Sequence, residues 1–188
     1  MAGLGWFVHA FASTESTLFR LLVEKSGLTA AEGAAVFSGV RMKPAMDALN
    51  RLFEAKGMVL EQEALRRPFK QLADISAVRD DILHYGTEED ERGLLFVSNA
   101  VKKHLPERVT RRSVSFDDLN RMVHDLRDIE LHFAASMFRT SKSPSRRQMA
   151  ALYTRRLAEP WLYRSPPPPS PQGGKRQRPP KQKPPPQS

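Results

Sequence analysis

The sequence predicts an all-α fold: a bundle of about five helices, a small hairpin or flap before the last core helix, and a disordered, proline-rich basic tail. Three observations lead there. Apolar residues recur at three- and four-residue steps through most of residues 1–139, the period of helices buried along one side. Helix-start signatures stand at Thr29 with Glu32 and at Ser115 with Asp118, a capping residue followed three positions later by an acid. From Ser165 onward the chain is crowded with proline and base, which cannot bury a core.

The first helix is expected over Leu4 to Lys25, where Phe7, Phe11, Thr14, Leu18 and Leu21 form the stripe and Ser26-Gly27 ends it. A second, capped by Thr29, runs through Ala34 to Phe37. Pro44 suits the first turn of a third, which carries Met46, Leu49, Leu52 and Phe53 and stops near Gly57. The fourth spans about Glu61 to Tyr85. Pro68 inside it implies either a start near Arg67 or a kink. Thr87 to Arg92 reads as an acidic loop. Leu94–Val97 and Arg108–Val114 are β-friendly and form the hairpin or flap. The last core helix begins at Ser115, with Leu119, Met122, Leu126, Ile129, Phe133 and Met137 as a regular seam, and ends near Arg139. Residues 140–164 form an amphipathic extension, helical over Gln148 to Tyr163 with Met149, Leu152, Tyr153 and Leu157 on one side. Residues 165–188 are the tail. Leu18, Leu49, Leu72, Ile75, Leu126, Ile129 and Phe133 are the expected core.

Composition narrows the function. The formal net charge is +9, but 11 of the 30 bases and one of the 21 acids fall in residues 141–188. The body is therefore near neutral, and the high pI describes the tail. The absence of cysteine excludes disulfides and thiolate chemistry. No apolar run approaches the ~18–20 residues that span a bilayer. The first residues lack the basic start and long apolar core of a signal peptide, so a cytoplasmic location without membrane contact is expected.

The stretch with most chemistry is Val78 to Gly86. Arg79 falls on the stripe of Leu72, Ile75 and Ile82, a costly place for a charge unless it is paired or faces a cleft. Asp80 and His84 are four apart and lie one above the other on a helix. Gly86 supplies the stop.

Arg79-Asp80 followed by His84 resembles the R-[polar]-x3-H motif of the HEPN superfamily, small helical bundles many of which are metal-independent ribonucleases of toxin or defence type. Glu15 matches the acid that the family carries on its first helix. The resemblance covers residues 1–139. Asp80 stands where the commonest form of the motif has asparagine. The resemblance implies RNA as substrate, no cofactor and no metal, Arg79 and His84 as the catalytic pair, and Asp80 and Glu15 in support. It also implies a homodimer with Arg and His donated by both protomers. The chemistry asks little of the protein, because RNA carries its own nucleophile, the 2′-hydroxyl. An imidazole can move the proton, and a guanidinium can hold the phosphate through paired hydrogen bonds. Residues five apart on a straight helix point ~140° apart, so His84 is expected to reach the cleft from a frayed last turn or to face a second protomer.

A structural reading stands beside this one: Arg79 pairs with Glu15 or Asp80 within the bundle, and His84 ends a helix. The chain is then a non-catalytic interaction protein whose Pro-rich basic tail binds a protein partner or a polyanion. A DNA-binding regulator rests on tail charge alone. Lys102, Lys103, Arg111 and Arg112, with His104 and Arg108, form a basic cluster that would guide RNA. His124, Asp128 and His132 step by four along the last helix but oppose its apolar seam, so they read as a solvated face. His9, beside Trp6, reads as packing.

Overall fold

A computed structural model describes residues 2–89, 95–98, 111–139, 142–156 and 160–166. The described residues form six helices and a small sheet: α1 (Ala2–Ser26), α2 (Ala30–Phe37), α3 (Met42–Ala55), α4 (Val59–Tyr85), β1 (Glu88–Glu89), β2 (Leu95–Ser98), β3 (Arg111–Ser113), α5 (Phe116–Arg139) and α6 (Pro144–Arg156).

Two of these starts were written locally. Thr29 accepts from the Glu32 amide while the Glu32 carboxylate accepts from the Thr29 amide, a complete capping box. Ser115 and Asp118 repeat the pattern at α5. Periodicity then decides which side of each helix is buried. α1 and α5 make the most extensive helix–helix contact, α3 packs on α1, and α4 packs on both α3 and α5. Leu18, Leu49, Leu72, Ile75, Leu126, Ile129 and Phe133 are all buried, as their spacing predicts. Gly33 faces Val23, where a Cβ would lie 2.5 Å from Cγ2, so α2 approaches α1 more closely than alanine permits.

Four features depart from the sequence reading. α4 begins at Val59, two residues before the expected Glu61, and continues through the buried Pro68, so the alternative start near Arg67 does not hold. Glu88 and Glu89, expected in a loop, form β1, the edge of a three-stranded antiparallel sheet ordered β1-β2-β3. Backbone pairing suffices there, since Glu88 lies opposite Phe96 and Glu89 opposite Leu95. Val97 and Val114 seal this sheet against the bundle. α6 starts at Pro144, a favoured first-turn residue, and ends at Arg156, well short of Tyr163. α6 packs on α5, and of the expected stripe Tyr153 is half-buried against the Phe138 ring (centroids 6.5 Å apart), whereas Met149 and Leu152 are exposed and Ala150 is buried instead. Leu157 and residues 167–188 lie outside the described residues, so the expectation of a disordered tail does too, apart from the exposed Ser165 and Pro166.

The fourth departure is a strap. Residues Trp161 to Tyr163 are not helical and lie against α4 and α5. Asp125, 1% exposed, receives hydrogen bonds from the backbone amides of Leu162 and Tyr163 (both 2.9 Å) and from Gln71 Nε2 (2.8 Å). Gln71 also donates to the Tyr163 carbonyl at 3.0 Å. Burial raises the Asp125 carboxyl above its ordinary pKa, against the lowering pull of these three donors. Trp161 packs on His132, ring centroids 5.8 Å apart.

Candidate functional site

α4 is seated by its buried Ile75, Val78 and Ile82. The left-handed Gly86 (φ 72°) closes the helix, and its amide donates to the Ile82 carbonyl at 2.9 Å. His84 therefore sits in an intact last turn, and the fraying expected from the sequence is not needed.

Arg79 leaves the buried stripe at its edge, with a third of its side chain exposed. Its Nη1 lies 2.9 Å from Asp80 Oδ1. Its guanidinium carbon stands 5.1 Å from the centroid of the Phe11 ring, a cation–π contact with a buried aromatic of α1. Carboxylate and ring together hold the guanidinium in place. A guanidinium has five N–H donors, so this arrangement leaves it able to receive an anion.

The residues that the motif singled out come together. Glu15 from α1, and Arg79, Asp80 and His84 from α4, line one open cleft of about 330 Å³. His84, five residues after Arg79, lines the same cleft. Phe11 and Ser76 complete these two walls. The third wall is the start of α3: Arg41, Met42, Lys43 and Pro44. No side chain caps α3 at Arg41, and the first turn of a helix carries partial positive charge on its amides. Lys43 is itself paired with Asp47 at 3.2 Å. Four basic side chains (Arg41, Lys43, Arg79, His84) thus face two carboxylates (Glu15, Asp80). The cleft suits an anion of modest charge. Sequence reasoning missed Arg41 and Lys43, although two bases just before a helix-opening proline were a usable signal.

Lys102, Lys103, His104 and Arg108 lie outside the described residues. Arg111 pairs through its backbone with Ser98 in the β3–β2 ladder. Arg112 is half-buried and lies 3.6 Å from Asp81 Oδ2, so it ties the sheet to α4.

In the series on α5, His124 is exposed as expected and His132 is not. His132 is half-buried under Trp161, and its pKa falls to about 4, chiefly through burial and then through Arg67 and Arg139. Among the described residues, no three His, Asp or Glu side chains are arranged to hold a metal ion. Trp6 and His9 meet edge to face, centroids 6.3 Å apart. Among the described residues no helix is long and apolar enough to cross a membrane.

No protein-family model, curated protein or solved structure matches the chain.

Proposed function

We propose that this chain is a HEPN-like, metal-independent endoribonuclease with Arg79 and His84 at its centre. The observation that carries the reading is the convergence of Glu15, Arg79, Asp80 and His84 on one cleft, with Arg41 and Lys43 on the facing wall. In the reaction, the RNA 2′-oxygen attacks the adjacent phosphorus as its proton passes to a base. The bond to the 5′-oxygen breaks, and that oxygen takes a proton. His84 serves one of the two proton transfers. Arg79, placed over the Phe11 ring, stabilises the charge that builds on the phosphorane oxygens. A homodimer supplies a second imidazole for the other transfer, and the exposed Leu83 beside His84 suits a covered position. The Pro-rich tail supplies a further contact to RNA or to a protein partner, and the enzyme acts in the cytoplasm.

The test uses labelled single-stranded RNA in excess EDTA. The expected products carry 2′,3′-cyclic phosphate, and His84→Ala lowers the rate by ~10²–10⁴-fold. The Arg79–Asp80 ion pair favours a second reading, a non-catalytic interaction protein of the same fold. Dimerisation without cleavage of any RNA tested would select it.

A further inference from the structure

Asp80 presents a problem to any phosphate that enters the cleft. Its Oδ1 sits 2.9 Å from the nitrogen of the guanidinium that would receive the anion. Arg79 cannot leave Asp80 behind cheaply, because its guanidinium also rests on Phe11 at 5.1 Å. Glu15 adds a second carboxylate from α1. A phosphate bound by Arg79 is therefore held close to fixed negative charge, and the repulsion grows with the charge of the ligand.

Phosphates differ in that charge. An internal phosphodiester carries one negative charge. A terminal phosphate or a mononucleotide carries nearly two above its second pKa of about 6. A like charge ~4 Å away in water weakens binding by about fivefold for each charge on the ligand, at low salt. The penalty is thus about fivefold for the diester and about 25-fold for the terminal phosphate.

We infer that Asp80 is a specificity-determining residue, which selects singly charged internal phosphodiesters over doubly charged terminal phosphates by holding a carboxylate against Arg79. The inference rests on the reading of this cleft as a phosphate site and deepens it: the substrate is the interior of a chain, not an end that carries a terminal phosphate.

Asp80→Asn isolates the charge. Asparagine keeps an oxygen that can accept from Arg79 Nη1 and occupies the same volume. The position is half-exposed, so the fold should persist, which a melting curve checks. The probes are a 2′-O-methyl dinucleotide, which has one diester and cannot be cleaved, and the nucleoside 3′-monophosphate of the same base. Both are titrated into the full chain by NMR at low salt and about pH 8, where the monophosphate is a dianion. Asp80→Asn is expected to tighten the monophosphate by about 25-fold and the dinucleotide by about fivefold. Adding Arg79→Ala should abolish both gains. Equal gains, no gain, a loss, or no binding of either probe overturns the inference. EDTA-resistant cleavage by the same wild-type preparation keeps the two ideas apart. Cleavage without a charge-dependent gain removes the selection and leaves the nuclease. A charge-dependent gain without cleavage keeps Asp80 as the selector of a phosphate-binding site and removes the nuclease.

Discussion

Asp125→Ala should unfasten the strap, and its cost follows from the bonds it breaks. The carboxylate is 1% exposed and receives three donors: the amides of Leu162 and Tyr163 and the side chain of Gln71. Each buried donor left without an acceptor costs ~1–3 kcal/mol. Leu162 is half-exposed, so water can satisfy its amide, which leaves two full penalties, ~2–6 kcal/mol. Against that, alanine removes a carboxylate whose burial is itself unfavourable, as its raised pKa records. The balance is a loss of ~2–4 kcal/mol. For a chain of this size, that lowers Tm by roughly 5–15 °C.

Urea unfolding followed by circular dichroism measures the loss. Hydrogen exchange over residues 160–166 locates it, since the Leu162 and Tyr163 amides should lose protection while α1 and α5 keep theirs. Asp125→Asn should fall between, because its amide nitrogen cannot accept from the second amide. A loss below ~1 kcal/mol with unchanged exchange at Leu162 and Tyr163 would refute the claim that the strap is clamped by this carboxylate.

Three further outcomes are expected. His132 is held neutral in the fold, with a pKa of about 4 against an ordinary 6.5, so its contribution to stability is present above pH 6.5 and lost as pH falls toward 4. The full shift corresponds to ~3 kcal/mol, which residual exposure screens to ~1–2 kcal/mol, and His132→Phe should flatten stability over that window in a pH series of urea titrations. Arg79→Lys and His84→Ala should leave Tm within ~1 °C while removing RNA cleavage, because neither side chain is part of the buried core; a fall of several degrees in either would move it from chemistry to scaffold. Truncation after Pro166 should leave Tm unchanged and reduce the salt-dependence of RNA binding, since it removes Lys175, Arg176, Arg178, Lys181 and Lys183.

What could be read from the sequence was what neighbours in the chain decide. Thr29 with Glu32 and Ser115 with Asp118 are complete within four residues, so the starts of α2 and α5 were legible. The α5 seam was legible because each of its members faces the same way. Asp125 was not: beside Leu126 and two turns from Phe133 it reads as an interruption of the seam. Its partners lie 37, 38 and 54 residues away. Lys25 was hidden in the same manner. It reads as a solvated helix end, yet it is buried because Ser136, in the last turn of α5, needs a donor for its carbonyl, which Lys25 Nζ supplies at 2.9 Å. Burial holds that amine below its ordinary pKa. The motif residues were named from sequence, but the wall of Arg41 and Lys43 was not, because a cleft between three helices exists only once they pack.

The three consecutive residues Arg79, Asp80 and Asp81 show how α4 separates holding from acting. On a helix they point ~100° apart. Arg79 turns toward α1 and rests on Phe11, Asp80 turns outward and pairs with Arg79, and Asp81 turns to the other flank and meets Arg112 of β3. Between the flanks, Ile75, Val78 and Ile82 carry the burial. The apolar stripe therefore fixes the backbone, and the charged residues are free to be selected for what they face. Among the described residues the sheet's ionic hold on this turn is at Asp81, three residues before His84. The strap meets α4 lower down, at Gln71, two turns before Arg79.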